Sequence, residues 1–385
     1  MTLFIRMAEF NLRMQKYYDG SVLGLRLHML NFWMSYQIRR TKESYFPAYK
    51  RCNNKKPSLV VVWELLKLAI HWKSLPFHYI RYSLYDKEYP YEKVLDYLPE
   101  TNFYYDIQPR INKRYFLLDD KIIFEEYLKG KNIAFPKTVL KTKNNVLFNN
   151  ESQVINGDQA LDIVNKSTSN TIFFKPSSFG SGGYGIYSAT RKEGVFIDDQ
   201  GKEIDARYLE ELKKNEWIVQ EKVENSKSIA EIYNFCTNSF RVLTFFIPGV
   251  GAKVLYCILK FGNNKAITDN AHTGGVYVRV DTETGELFDT AYDENLYQYK
   301  EHPYTKKPFK GERVDDIKKV VKMAEDLGNM FPDLTFVGWD IVLSPVGPVV
   351  LEGNSSPGLT IIQRTYTGMK EFYDLYLKHF KNVQK

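Results

Sequence analysis

The sequence predicts an α+β chain, with a mostly helical N-terminal part and a strand-rich remainder. Three observations carry this. Through residue 118 apolar and aromatic side chains cluster at helical spacing, and from about Leu118 short strand-like runs bounded by Gly, Pro and Asn take over. Near the C-terminus, Val337–Gly358 reads as two strands joined by a turn, and the chemistry of the chain is organised around it.

Composition bounds the reading. The 385 residues are 44% hydrophobic and 15% aromatic, ample for two or three packed subdomains. No apolar run approaches the roughly 20 residues of a membrane span, and Arg6, Glu9 and Arg13 interrupt what would be a signal-peptide core. Cys52, Cys236 and Cys257 are odd in number and form no CxxC, which points to a reducing cytoplasm rather than a disulfide framework or a zinc site. The net charge of +7 is localised: residues 1–100 hold 16 Lys and Arg against 9 Asp and Glu, and the other 285 residues balance.

Within residues 1–118, helices are expected over Met7–Tyr18, over Leu23–Ile38 and over Val60–Trp72. Phe77–Tyr91 is dense in aromatic and basic groups. Such a cationic, aromatic segment suits an anionic membrane surface or a lipid-linked glycan; the plain alternative is a helical domain with solvated charges. No nucleic-acid-binding pattern appears, so a nucleic-acid partner is not expected.

Beyond Leu118, Asp119 is expected to cap a helix running to Lys129. A strand over Lys137–Lys141, a polar loop over Thr142–Gly157, a helix over Asp158–Lys166 and a strand over Thr171–Lys175 follow. That last strand ends at Lys175 and runs into Gly180, Ser181, Gly182, Gly183 and Gly185. Such a loop lets backbone N–H groups approach phosphate oxygens while the lysine supplies charge, although a flexible turn has the same composition. Its spacing is neither the Walker pattern nor GxGxxG opening a helix.

Glu216–Val223 is a strand whose end, Gln220, Glu221, Lys222 and Val223, offers backbone to an adenine, with Glu224 placed for a ribose; a plain strand end fits equally. Arg241 is the one charged side chain in the strand Phe240–Phe246 and needs an anionic partner, a phosphate or a carboxylate. Gly251–Lys260 returns. A loop with Asp269, Asn270, His272, Gly274 and Gly275 leads to a strand bearing Arg279, and His302 lies in a later loop. Lone histidines such as His272 and His302 are usually structural. A helix over Val314–Leu327 precedes the hairpin, and one over Met369–Phe380 ends the chain.

In the hairpin, Val337, Trp339, Ile341 and Leu343 alternate with Asp340 on the first strand, and Glu352 and Asn354, two apart, share a face of the second. Two carboxylates and an amide oxygen are ligands for Mg2+; the alternative is a polar strand end facing solvent.

Taken in order, these pieces resemble the ATP-grasp superfamily: Asp120-Lys121 at a helix start, Lys175 before the glycine loop, the Gln220–Val223 hinge, Arg241, and Asp340 with Glu352 and Asn354 before Pro357-Gly358. The runs Asn238–Val242, Asp269-Asn270 with Gly274-Gly275, Asp281 with Thr284-Gly285, His302-Pro303, Gly338–Asp340 and Asp96–Pro99 are similar to the sugar-transfer-associated family within it. The resemblance implies an ATP-grasp fold of two α+β subdomains gripping ATP over 119–385, its lid at about 135–222, after a helical domain over 1–118. The superfamily's frequent Rossmann-like first domain has no counterpart in residues 1–118.

What the resemblance further implies is an ADP-forming carboxylate–amine ligase in surface polysaccharide biosynthesis, using ATP and Mg2+ and passing through an acyl-phosphate. Its partners would be a carboxylated sugar or glycan and an amine or amino acid, in the cytoplasm or at the membrane periphery. Lys121 and Lys175 would hold the α- and β-phosphates, Arg241 would sit by the γ-phosphate, and Asp340, Glu352 and Asn354 would hold the metal. Asp269, Asn270, Gly274, Gly275, Arg279 and His302 are the candidate substrate residues. A kinase acting on a hydroxyl and a nucleotide-binding module without turnover are the other readings.

Overall fold

The computed structural model describes residues 39–114, 116–178, 185–295 and 297–380. They fall into two compact units that divide between Leu95 and Asp96. The helices expected over Met7–Tyr18 and Leu23–Ile38 lie outside the described residues.

In the first unit the main element is the helix Ser58–Trp72, which begins after Pro57 and stops where Lys73 turns left-handed at φ 51°. Its buried side carries Glu64, Leu68 and Trp72. Glu64 is neutralised by the Lys56 ammonium, 2.8 Å away, and accepts from the Tyr79 hydroxyl at 2.5 Å. Tyr45, Tyr79, Tyr82, Leu84 and Tyr85 complete this core. The aromatic segment after Pro76 forms only short helical turns, Phe77–Arg81 and Tyr91–Val94.

The second unit begins well before the expected boundary at residue 118. Leu98 exchanges two hydrogen bonds with the Gln363 side chain, at 2.7 and 2.9 Å. The buried Asn112 amide donates to the Phe336 and Ser355 carbonyls, both at 2.6 Å, and accepts from Phe336 N–H at 3.1 Å. Residues 96–118 therefore belong structurally with the strands that follow.

Two antiparallel seven-stranded sheets make up the rest. The first contains β1 (Thr138–Lys143), β2 (Val146–Asn149), β3 (Val154–Ile155), β4 (Thr171–Pro176), β5 (Tyr187–Lys192), β6 (Val195–Asp198) and β7 (Trp217–Glu221), in the order β3-β2-β1-β7-β4-β5-β6. Helices Gly157–Asn165 and Ala206–Leu212 contribute to its core through Ala160, Val164, Leu209 and Leu212. The expected polar loop over Thr142–Gly157 instead holds β2 and β3. Their polar flanks hide strands whose buried side chain is chiefly Leu147.

The second sheet runs β12-β11-β10-β9-β8-β13-β14, formed by β8 (Phe240–Ile247), β9 (Gly251–Phe261), β10 (Val276–Val280), β11 (Leu287–Tyr292), β12 (Gln298–Tyr299), β13 (Phe336–Ser344) and β14 (Gly347–Asn354). Val242, Val278, Trp339 and Ile341 pack with the helix Ile317–Met330 in one core. Burial of this face leaves the alternate side chains of the same strands on the other. The Trp339 indole donates to Thr244 Oγ1 at 2.9 Å, satisfying the polar atom of a fully buried ring.

The helix Lys121–Leu128 is capped by Asp120, not Asp119: the Asp120 carboxylate accepts from Ile122 and Ile123 N–H at 2.8 and 3.1 Å. Asp119 ends the short helix before it. Each of the two sheets thus packs with its own helices around its own core.

Candidate active site

Register places the candidate metal and phosphate residues in one line. Glu352 faces Asp340, Asp340 faces Arg241, and Arg241 faces Ile258, which faces Arg279 in turn. Directly paired residues project to the same side of a sheet, so this row crosses β14, β13, β8, β9 and β10 opposite the Trp339 core. Gly338 keeps the row open. A Cβ there would meet Arg241 Cδ at 3.1 Å and Pro357 Cβ at 3.0 Å, so the guanidinium arm lies across the space a side chain would fill.

Arg241 holds Asp340 in a fork, Nε to Oδ1 at 2.5 Å and Nη2 to Oδ2 at 3.0 Å. Lys260 Nζ donates to the same Oδ2 at 3.1 Å and lies 3.9 Å from Asp269. Burial opposes ionisation of Asp340, but the two cations outweigh it and hold the carboxyl well below the usual range. Arg241 is correspondingly raised: burial works against its charge, and Asp340 and then Glu352 more than restore it. Asp269 is pushed up by burial, against the pull of Lys260 and the hydrogen bonds from Ser239 N–H and Oγ at 2.8 and 2.6 Å.

The two phosphate-type lysines arrive from other elements. Lys121 N–H donates to the Ser177 carbonyl at 2.8 Å, and Asp120 pairs with Ser178, so the helix start is tied to the end of β4. That junction brings Lys121 to 3.7 Å from Glu352 and puts Lys175 in the same cleft. Lys175 Nζ donates to Gln220 Oε1 at 3.0 Å. Burial, with help from Lys121 and against Glu352, lowers its pKa to about 8.

The cleft is partly open to solvent. Lys121, Lys175, Lys260, Asp269, Asp340 and Glu352 give it charge, and Phe173, Ile186, Val223, Ile267 and Leu351 give it apolar lining. A lining that combines apolar side chains with several cations suits a ring carrying phosphates. Gly180, Ser181, Gly182 and Gly183 lie outside the described residues.

The hinge is partly committed to the fold. Glu221 N–H and Lys222 N–H donate to Lys137 and Thr171 carbonyls at 2.9 Å each, so neither is free for an adenine. The Glu221 carboxylate is taken by Lys137, Ser167 and Thr168. The Gln220 side chain accepts from Lys175. Glu224 is exposed and pairs with Lys222 at 3.1 Å.

Among the substrate candidates, Asp269 and Asn270 line the cleft, and Gly275 is pressed against the carbonyls of Asp269 and Asn270, shaping their loop with Gly274 at φ 86°. His302 does not take part. It is fully buried, its Nε2 shares a hydrogen bond with the Gly262 carbonyl at 2.9 Å, and its ring stacks on Tyr233. Arg279 is clamped between Phe288 and Tyr366, with ring centroids 4.3 and 4.1 Å away.

Lys260 is the residue that the sequence reading passed over. Its signal was available, a lone lysine in the apolar run Tyr256–Phe261, on the same logic that singled out Arg241.

The donor set fits a hard cation. Glu352 is 31% exposed toward the cleft, and the Asn354 amide lies 3.4 Å from it. Asp340 keeps a lone pair on Oδ1, which accepts only from Arg241. Among the described residues no three His, Cys, Asp or Glu side chains form a metal group. Asn354 turns its amide nitrogen to Glu352 Oε1 and to the Gly338 carbonyl, 3.4 Å from each, so its oxygen would join Asp340 and Glu352 at a cation only after the amide turns over.

The sequence matches the model of the sugar-transfer associated ATP-grasp family over residues 100–371. The chain belongs to this family. No curated protein matches the sequence. Solved structures similar to this ATP-grasp protein include D-alanine–D-alanine ligase of Bacillus anthracis, 13% identical with a TM-score of 0.36 over 68% of this chain and 67% of that one. D-alanyl-alanine synthetase A of Vibrio cholerae O1 biovar eltor is 12% identical, with a TM-score of 0.40 over 69% and 66%. A RiPP-associated ATP-grasp ligase of Chryseobacterium gregarium is 11% identical, with a TM-score of 0.35 over 67% and 60%. The chain spans about two thirds or less of the length of these proteins. Among the described residues no helix is long and apolar enough to cross a membrane.

Proposed function

We propose that the protein is an ADP-forming, Mg2+-dependent carboxylate–amine ligase that joins an amine or amino acid to a carboxylated sugar for a surface polysaccharide. The observation that supports it most is one cleft lined by Glu352 and Asp340 with three lysines from three other elements, Lys121, Lys175 and Lys260, and with Arg241 forked to Asp340 behind it. Phosphoryl transfer needs little from side chains beyond positioning and charge neutralisation, and this cluster is built for that.

In the proposed reaction a carboxylate oxygen attacks the γ-phosphorus. The bond from that phosphorus to the bridging oxygen breaks, and ADP leaves. The amine then attacks the acyl carbon, the carbon–oxygen bond to phosphate breaks, and the amine gives up a proton as the amide forms. Lys121 and Lys175 bind the inner phosphates, and Lys260 and Arg241 face the transferred group. Asp340, Glu352 and Asn354 would hold one or two Mg2+, which when bound spread the phosphate charge. Asp269 and Asn270 line the same cleft and would meet an acceptor there.

ADP and phosphate release, measured with uronic-acid glycans and amino acids, tests this reading. Phosphate release that requires both substrates, with an amide product by mass spectrometry, supports it. ADP formation that ignores the amine and leaves a stable phosphorylated glycan makes the protein a kinase instead.

A further inference from the structure

The Ser58–Trp72 helix is apolar on two opposite sides. Glu64, Leu68 and Trp72 mark the side turned into its own unit. On the other, Leu59 is 85% exposed, Leu66 61% and Ile70 77%, with Val62 and Trp63 between them and Leu75 just beyond the end. The spacing 59, 62, 63, 66, 70 is one helical stripe, so these side chains form a continuous patch rather than scattered exposures. A helix apolar on both sides is ordinarily covered on both.

The charge around the patch points to what covers it. Residues 39–95 hold 12 Lys and Arg against 5 Asp and Glu, a surplus equal to that of the whole chain, +7. One of the five acids, Glu64, is buried and already neutralised by Lys56. Lys50, Arg51, Lys67, Lys73, Lys87 and Lys93 are all exposed. Lys67 lies on the stripe's edge with its ammonium 3.5 Å from the centre of the Trp63 ring and 5.0 Å from that of Tyr91. An aromatic ring beside a lysine that can extend past it is the arrangement of a headgroup-level anchor. A second copy docked through the same patch would bring two such surpluses face to face, whereas anionic lipids are drawn to each.

We propose that this helix face docks the protein on an anionic membrane surface, its leucine and isoleucine side chains entering the headgroup–acyl boundary and the exposed lysines meeting the headgroups. The site is independent of the cleft and of the reaction proposed for it.

Co-sedimentation of the full chain with vesicles tests this, using phosphatidylcholine alone and phosphatidylcholine mixed with phosphatidylglycerol. The wild type is expected to sediment with the mixed vesicles, to stay in solution with the neutral ones, and to lose binding as salt is raised. Leu66→Glu combined with Ile70→Glu should weaken binding by about tenfold or more, since each buried leucine-sized side chain carries at least that much partition energy. Circular dichroism checks that this variant is folded. Lys67→Glu with Lys73→Glu, which leaves the apolar stripe intact, should reduce the preference for anionic vesicles. Wild type that stays in the supernatant overturns the proposal. Binding that the double glutamate variant retains overturns it too. So does a dimer in light scattering that the same variant dissolves, because the face would then belong to a second copy.

Discussion

Lys175 reaches Gln220 across two neighbouring strands, Nζ to Oε1 at 3.0 Å, and Gln220 is itself anchored. Its amide nitrogen lies 3.3 Å from Thr138 Oγ1 and 3.4 Å from Glu125 Oε2. Glu125 accepts from the Thr138 hydroxyl and pairs with the buried Lys141 at 3.0 Å. A phosphate-type lysine is therefore aimed by a buried polar chain running back to the helix Lys121–Leu128. Gln220→Leu keeps the volume and removes the aim. A hydrogen bond to a charged group is worth about 1.5–3 kcal/mol, so nucleotide affinity by calorimetry should fall at least about tenfold with the fold intact.

The lowered pKa of Lys175 gives a pH dependence. Burial, with Lys121 nearby, brings it to about 8, so the side chain is charged below that value and neutral above it. A phosphate binds the charged form. Nucleotide affinity is therefore expected to be highest below pH 8 and to fall as pH rises through it. At higher pH, binding should take up a proton, detectable as a buffer-dependent heat. Lys175→Arg, which stays charged, should abolish the fall. An affinity flat from pH 7 to about 9.5 in the wild type would show that Lys175 does not meet the phosphates.

Asp340 and Glu352 are neighbours in one row, yet removing their charges should do different things. Asp340 is 8% exposed and balances Arg241 and Lys260. Asp340→Asn removes the carboxylate that both cations share and leaves Lys260 only the more distant Asp269, 3.9 Å away, so it should cost roughly 3 kcal/mol in urea unfolding. Glu352 is more open, so Glu352→Gln should unfold within about 0.5 kcal/mol of wild type while losing Mg2+-dependent tightening of nucleotide binding. Equal stability losses in the two variants would mean that Glu352 is structural.

Lys260→Met separates the unforeseen residue from its neighbours. Arg241 still satisfies Asp340, so the fold should survive, and the buried methionine replaces the aliphatic arm. Turnover in an ADP-release assay should drop by about two orders of magnitude if Lys260 meets the transferred phosphate, as expected for one removed electrostatic group.

What the sequence disclosed follows the range of the forces involved. Alternation is local, so Glu352 and Asn354 could be put on one face of their strand, whereas Asp340 came opposite Glu352 only with the hairpin's register. A lone charge in an apolar strand is equally local, which made Arg241 visible. The same reasoning applies to Lys260, but it stands next to a strand end, where a lysine looks ordinary. The Glu125–Lys141 pair joins a helix to a strand, and nothing in either segment alone announces it. Asp119 and Asp120 are adjacent and chemically alike, so only the geometry of the helix start distinguishes the cap. The hinge was only partly legible for a different reason: the N–H groups of Glu221 and Lys222 are bonded by Lys137 and Thr171, partners distant in sequence, while Val223 lines the cleft.

Gly338 links fold and site most directly. It stands two residues before Asp340 on the same face, and the Arg241 arm crosses above it. Gly338→Ala would put a Cβ 3.1 Å from Arg241 Cδ and 3.0 Å from Pro357 Cβ, tighter than ordinary contact. Arg241 has little freedom to yield, because its fork to Asp340 fixes both ends of the arm. Overpacking of this kind costs about 1–3 kcal/mol, and part of it should be relieved by pulling Arg241 out of line with Asp340. Activity should therefore fall by more than the loss of stability explains, with turnover reduced under conditions where circular dichroism shows the variant fully folded. Gly353→Ala on the next strand is the control. Its Cβ would meet the Trp339 ring at 2.6 Å, on the core side, and should lower the unfolding midpoint without selectively lowering turnover of the folded fraction.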